Sequence, residues 1–341
     1  MRAAVYYSNR DLRVQEAPTP KIGAGELLIR VEASGICGSD VMEWYRKDRV
    51  PLILGHEVAG VIEEAGEGVR YKKGLRVALS HHVPCGSCHY CMSGHETTCE
   101  TLRKTNFDPG GFCEYLRLPK INVDSGVFPL PESVTFEEAT FVEPLACVLR
   151  GQRQTGFKPG KSILVIGSGI AGLLHIHLAR VSGAGAVFAT DISEYRLSQA
   201  KRFGAQKTWF AKVYSPVGLR QSNNGQLADI VIVTTGALPA IQQAISSVER
   251  GGSILFFAPT EKDLNVPIPF NDLFWRTEIT LTSSYAGSPQ DYQQALELIA
   301  QKKLQLADMV THRLKLDEIG EGFRLVQEAR ESIKVIIYPH K

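Results

Sequence analysis

Neither sign of charge dominates this chain: 38 Lys and Arg stand against 36 Asp and Glu over 341 residues, a formal net charge of +2. With no basic surplus or basic run, the sequence offers nothing for a nucleic acid or an anionic membrane surface to bind. An apolar stretch fit to cross a bilayer is missing too. The longest apolar-rich run, Ile163 to Val181, is interrupted by Gly167, Gly169 and Gly172, by two histidines and by Arg180, which argues against a span. The opening residues, MRAAVYYSNRDLR, reach Ser8 and Arg10 too soon for the apolar core of a secretory leader. The expectation is a soluble cytoplasmic protein with reduced thiols. Repeats and low-complexity tracts are also absent, and the composition is that of a globular chain long enough for two domains.

Cysteine is scarce except in one loop. Four of the seven fall in CGSCHYCMSGHETTC, residues 85–99. Disulfides are disfavoured by a reducing compartment and by the odd total. A bacterial iron–sulfur run would read C-x2-C-x2-C-x3-C-P, whereas here the last gap is seven residues and Glu100 follows. Cys85, Cys88, Cys91 and Cys99 fit a closed tetrahedral cage of thiolates instead, which zinc fills without leaving a position for substrate. The loop is therefore expected to be a structural zinc lobe that does no chemistry.

Up to about residue 120 the chain reads as short strands and turns, among them ELLIRVEA (26–33), VAGVIEEAG (58–66), GLRVALS (74–80) and GFCEYLRLP (111–119). From Thr135 the pattern predicts a helix kinked at Pro144. After Pro159 apolar strands alternate with helices: SILVIG, AVFATD, DIVIVTTG and GGSILFFA mark a parallel sheet covered on both faces. Residues 285–341 give two more helices and a last strand, SIKVIIY.

GSGIAG (167–172) follows the first of those strands and opens a helix. In that setting Gly167 makes the tight turn, Gly169 lets a pyrophosphate approach the helix N-terminus, and Gly172 lets helix and strand pack closely. Asp191, at the end of the next strand, can accept both ribose hydroxyls and would repel a 2′-phosphate, so NAD(H) is expected over NADP(H). Arg196, one helical turn on, belongs either near the adenosine or in solvent. Ala171 within the turn, and Thr235 and Gly236 after DIVIV, are further candidate cofactor contacts. Cys37 (in ICGSD) and His56 (in LGHE) lie outside the cysteine loop, each beside glycine, and offer a thiolate and an imidazole; Glu57 or Glu143 could complete a catalytic metal set.

Together CGSD, GHE, C-x2-C-x2-C-x7-C, GGFCEY, EPL, GSGIAG, TDIS and VTHR, in this order over nearly the whole chain, resemble the zinc-containing medium-chain dehydrogenases, in their sorbitol (polyol) and threonine branch. The resemblance implies an α/β fold with two parts. A discontinuous, mostly β GroES-like catalytic domain takes residues 1–150 and 285–341, and a doubly wound Rossmann domain takes 151–284, with the active site in the cleft between them. It implies two zinc ions per chain and NAD(H), with Cys37, His56, Glu57 and Glu143 around the catalytic zinc. Ser39 would take the proton of a substrate hydroxyl while hydride passes from the carbinol carbon to the nicotinamide. It also implies a small alcohol or ketone as substrate and a homodimer or homotetramer.

Several residues depart from the polyol pattern. Met42 stands where a histidine is usual, Glu43 where an aromatic is usual, and Ala286 in SSYAGS where the sorbitol enzymes have arginine. Glu43 and Tyr285 are carried forward as candidate substrate contacts. The expected reaction is oxidation of a secondary hydroxyl on a polyol, cyclitol, sugar or aminosugar. A threonine-type amino alcohol dehydrogenase and a non-catalytic dinucleotide-binding protein are the alternatives.

Overall fold

A computed structural model describes all 341 residues. The chain folds as two units, Met1–Ala146 together with Ala286–Lys341, and Cys147–Tyr285. The first handover falls inside the helix Val142–Gln154.

The second unit carries six parallel strands in the order Lys207–Phe210, Ala186–Asp191, Ser162–Ile166, Ala228–Val233, Val248–Phe256, Thr280–Ser283. By chain position this is 3-2-1-4-5-6, the doubly wound order, whose direction reverses beside Ser162–Ile166. That strand is buried at every residue, as its unbroken apolar sequence requires when helices cover both faces. The long apolar run thus divides into this strand and the helix Ile170–Val181. No helix is long and apolar enough to cross a membrane.

The first unit is built on a seven-stranded, largely antiparallel sheet. Its path runs Val310–Lys315, Lys334–Tyr338, Leu27–Gly35, Glu57–Ala65, Arg76–Leu79, Val127–Pro129, with Tyr115–Leu118 also paired to Leu27–Gly35. Strands from both ends of the sequence therefore meet in one sheet. A cluster around Tyr6, Phe112 and Phe323, all fully buried, packs the helix Ile319–Glu328 onto the strand Arg2–Ser8.

The helix expected from Thr135 is two helices. Thr135 caps Phe136–Ala139 through a capping box with Glu138, and a second helix starts at Val142. Pro144 causes no kink. It lies in the first turn, where backbone N–H groups have no intrahelical partner and a missing one costs nothing. The strand Val310–Lys315 was not anticipated: its run VTHRLK has too few apolar residues to stand out, and it forms by parallel pairing with Lys334–Tyr338.

His175 is buried in the helix Ile170–Val181. Gln152 Nε2 donates to its carbonyl at 2.8 Å, and Phe257 meets its ring edge-on at 4.6 Å. Burial holds this imidazole down to about 3. Below its ordinary value near 6.5 the unfolded chain takes up a proton that the folded one refuses, so stability falls by about 1.4 kcal/mol per pH unit from there down to the folded value. His175→Leu is expected to remove about 2 kcal/mol of the stability difference between pH 7 and pH 5. Urea unfolding followed through Trp209 and Trp275 measures it, and an unaltered pH dependence in the variant would contradict the assignment.

Candidate metal and nucleotide sites

The first site follows from strand register. Gly35, ending one strand, lies directly opposite Glu57, which begins the next. Cys37, two residues on, and His56, one residue before Glu57, are thereby brought together. One ligating atom from each of Cys37, His56 and Glu57 lies within 4.8 Å of the other two. A thiolate, an imidazole and a carboxylate are a donor set for zinc with one position left for substrate.

Asp40, fully buried, organises the trio from behind. Its Oδ2 accepts the Cys37 N–H at 3.0 Å, and its Oδ1 is 3.4 Å from His56 Nδ1. A carboxylate on that side of the ring orients it with Nε2 turned toward a metal. Burial would lower the His56 pKa, but Asp40 and Cys37 raise it well above its ordinary value. Burial would raise the Asp40 pKa, but His56 and Arg46 lower it. Arg46 Nη2 also donates to the Ser39 carbonyl at 3.2 Å, and the Ser39 N–H points to Cys37 Sγ at 3.5 Å.

Sequence reasoning missed Lys334. Its ammonium is fully buried and pairs with Glu57, and a side chain on Gly35 would collide with both. The available signal was one lysine in the otherwise apolar run IKVIIY. Glu143 is buried in the first turn of Val142–Gln154, and the structure does not group its carboxylate with the trio. Glu43 is exposed in the short helix Glu43–Arg46, and Tyr285 is exposed beyond the strand Thr280–Ser283.

Beside His56 stand two more imidazoles. The His81 ring is 4.9 Å from that of His56 and 3.9 Å from that of His82. Burial holds His81 well below its ordinary pKa, with His82 and His56 adding to the effect, and burial takes His82 down to about 4.

In the cysteine loop the sulfurs of Cys88 and Cys91 are 3.5 Å apart, those of Cys85 and Cys99 3.7 Å, and those of Cys85 and Cys91 3.9 Å. All four thiols are free. A tetrahedron with zinc–sulfur bonds of about 2.3 Å has edges of about 3.8 Å, so the loop has the dimensions of a zinc cage. Backbone N–H groups of Ser87 and Cys88 lower the Cys85 pKa and favour the thiolate a metal needs.

In the second unit Gly167 turns the chain at φ 93° between strand and helix. A methyl on Gly172 would strike the Gly167 carbonyl oxygen. Asp191 ends the neighbouring strand, its Oδ2 accepting the Ser168 N–H at 2.6 Å and its Oδ1 the Ser193 N–H at 2.8 Å. Arg196 lies over the turn rather than in solvent: its Nη1 is 3.7 Å from where a Gly169 Cβ would be. Ala171 sits half-buried in the first helical turn, and Thr235 and Gly236 follow the strand Ala228–Val233. Thr234, not anticipated, locks the turn by donating to the Gly167 carbonyl at 2.9 Å.

Known proteins resemble this chain over most or all of its length. The family model for the alcohol dehydrogenase GroES-like domain matches residues 23–132, and that for zinc-binding dehydrogenases matches residues 171–301. Sorbitol dehydrogenase of Bacillus subtilis is 31% identical, the match covering 100% of this chain and 98% of the relative. A probable D-xylulose reductase A of Aspergillus clavatus is 31% identical over 96% of this chain and 93% of its own. Among solved structures, a zinc-binding dehydrogenase of Sinorhizobium meliloti bound to NADP superposes with a TM-score of 0.87 at 27% identity, covering 99% of both chains.

Cys88→Ser opens one corner of the sulfur tetrahedron. The variant is expected to lose one equivalent of zinc by elemental analysis while a second equivalent stays bound; retention of the full zinc content would refute the cage.

Proposed function

The chain belongs to the zinc-binding medium-chain alcohol dehydrogenases, and from that membership we propose that it interconverts a secondary alcohol of a polyol, cyclitol or sugar-like molecule and its ketone, with NAD(H) as hydride carrier. One observation carries the reading: Cys37, His56 and Glu57 converge, with Asp40 orienting the imidazole. Zinc held there would acidify a substrate hydroxyl. The chain's own residues do the remaining work. Asp40 and Arg46 fix the 37–40 turn, and on this reading Ser39, a residue of that turn, takes the hydroxyl proton. In the other unit the glycine turn and the helix N-terminus receive the pyrophosphate.

Asp191 argues for NAD(H). Two backbone N–H groups hold its carboxylate at the strand end, leaving lone pairs for ribose hydroxyls and a negative charge against a 2′-phosphate. The NADP bound to the Sinorhizobium meliloti protein makes the opposite preference the outcome to exclude. A neutral polyol is favoured over an amino alcohol because Asp40 and Glu57 are each matched by a cation, Arg46 and Lys334. Neither carboxylate is left over for an ammonium group, and Glu43 is exposed.

Cys37→Ser should abolish NAD-dependent oxidation of a polyol panel, a loss beyond the roughly 10–100-fold expected when a mere supporting residue is removed, while NAD still binds. Full turnover in that variant would end the proposal. Asp191→Ala should weaken NAD by about 10–100-fold, the worth of hydrogen bonds to a charged group, and narrow the gap to NADP. Initial rates with the two cofactors decide this, and an unchanged preference would remove Asp191 from the account.

A further inference from the structure

Lys334 is the one lysine or arginine of the first unit that is buried, and its side chain is sealed from solvent completely. An ammonium in that position needs a paired charge, and its ion-pair partner is Glu57 Oε2. Room for the pair is set aside at Gly35, where a Cβ would collide with Lys334 Nζ and Cε and with Glu57 Oε2. The lysine is held from its own backbone too. Its strand, Lys334–Tyr338, is buried at every residue, and Thr311 Oγ1 donates to the Lys334 carbonyl at 3.1 Å. The ammonium is thus confined to Glu57, with the Phe141 ring its other neighbour at 5.6 Å. Yet the same carboxylate is one of the three donors that converge with Cys37 and His56. One side chain is therefore asked for by two cations: a fixed ammonium and any metal the trio takes.

We propose that Lys334 competes with the metal for Glu57. It is a positioning residue that holds the carboxylate in place while the site is empty and makes it the weakest ligand of the set once a metal is bound. The proposal rests on the reading of Cys37, His56 and Glu57 as a metal site. The usual outer partner of a metal ligand is an acceptor, which raises the ligand's basicity, and its loss weakens metal binding. Asp40 is a partner of that kind, set against His56. Lys334 is the opposite kind. An ammonium draws the charge of the carboxylate toward itself and repels a second cation. It also satisfies Glu57 in the metal-free chain, so that a metal gains less by arriving. Without the ammonium, the metal-free chain would carry a stranded buried carboxylate that the metal relieves. All three effects have one sign: removing Lys334 tightens the metal. One site thus combines a ligand strengthened from behind with a ligand weakened from behind.

Lys334→Met keeps an unbranched stem and removes the charge, and Lys334→Arg keeps the charge. The readout is the zinc equivalent that Cys37→Ser abolishes, measured by competition with a chelator and independent of turnover. Lys334→Met is expected to hold that zinc about 10–100-fold more tightly, the size of an outer-partner effect with its sign reversed. Lys334→Arg is expected to hold it less tightly than Lys334→Met. Equal or weaker binding in Lys334→Met, the result for a lysine that merely braces the sheet, overturns the proposal. Zinc should also raise the unfolding temperature by more in Lys334→Met than in the original chain, and an equal or smaller rise counts against the competition. If metal-free Lys334→Met does not stay folded, the rate at which the chelator strips the loaded protein decides: slower loss supports the proposal, and equal or faster loss overturns it. An original chain in which no zinc equivalent depends on Cys37 fails the metal reading itself. A Cys37-dependent zinc that Lys334→Met leaves no tighter fails the competition alone.

Discussion

The first unit is organised around an ion pair placed where a side chain is missing. Gly35, Glu57 and Lys334 come from three adjacent strands, and the space a Cβ would take at Gly35 is filled by the Glu57 carboxylate and the Lys334 ammonium. The partners are 277 residues apart, so the pair forms only when the end of the chain has returned to complete the sheet. Such a pair is a weak source of net stability, since desolvating both charges offsets their attraction, yet removing one partner costs about 3–5 kcal/mol by stranding the other. Its importance is local. It keeps the Glu57 carboxylate aimed beside Cys37 and His56, and the Phe141 ring, 5.6 Å from the Lys334 ammonium, adds a cation–π contact.

The two sulfur sites divide their work by ligand chemistry. Four thiolates at cage distances would saturate a zinc ion, and their position in one short loop makes them a brace. The mixed trio comes from the facing ends of two neighbouring strands and would leave a coordination position free. The lobe still serves the trio. Thr105, which ends the helix Glu100–Lys104 just after Cys99, receives the His82 imidazole on its carbonyl and the Val83 N–H on its hydroxyl. The brace thus holds the 81–85 segment and, with it, the His81 imidazole tilted against that of His56.

What the sequence made legible is what is written locally. The spacing of Cys85, Cys88, Cys91 and Cys99 is a property of fifteen residues, and GSGIAG followed by TDIS is a property of one strand–helix–strand unit. The doubly wound sheet was legible for the same reason, since each crossover is encoded by one apolar strand and one helix. Lys334 was not legible, because its meaning lies in a glycine and a glutamate hundreds of residues earlier. The break between Ala139 and Val142 was misplaced onto Pro144 because proline looks alike in a kink and in a first turn. Glu143 was grouped with the metal ligands by resemblance, and the structure brings Cys37, His56 and Glu57 together as a set without it. Arg196 could be assigned to the glycine turn only once the fold had placed its guanidinium.

The charges of the second unit reinforce one another in the same way. Asp191 is fixed by the N–H groups of Ser168, within the glycine turn, and Ser193, which caps the next helix. One carboxylate therefore ties the end of its strand to both flanking turns before any ligand arrives. Arg196 brings its positive charge over Gly169, where a pyrophosphate is favoured by the helix N-terminus as well. On the proposed reading, the guanidinium complements the pyrophosphate, and Asp191 at the ribose would disfavour a 2′-phosphate, so that two side chains five residues apart would act together on the choice of dinucleotide.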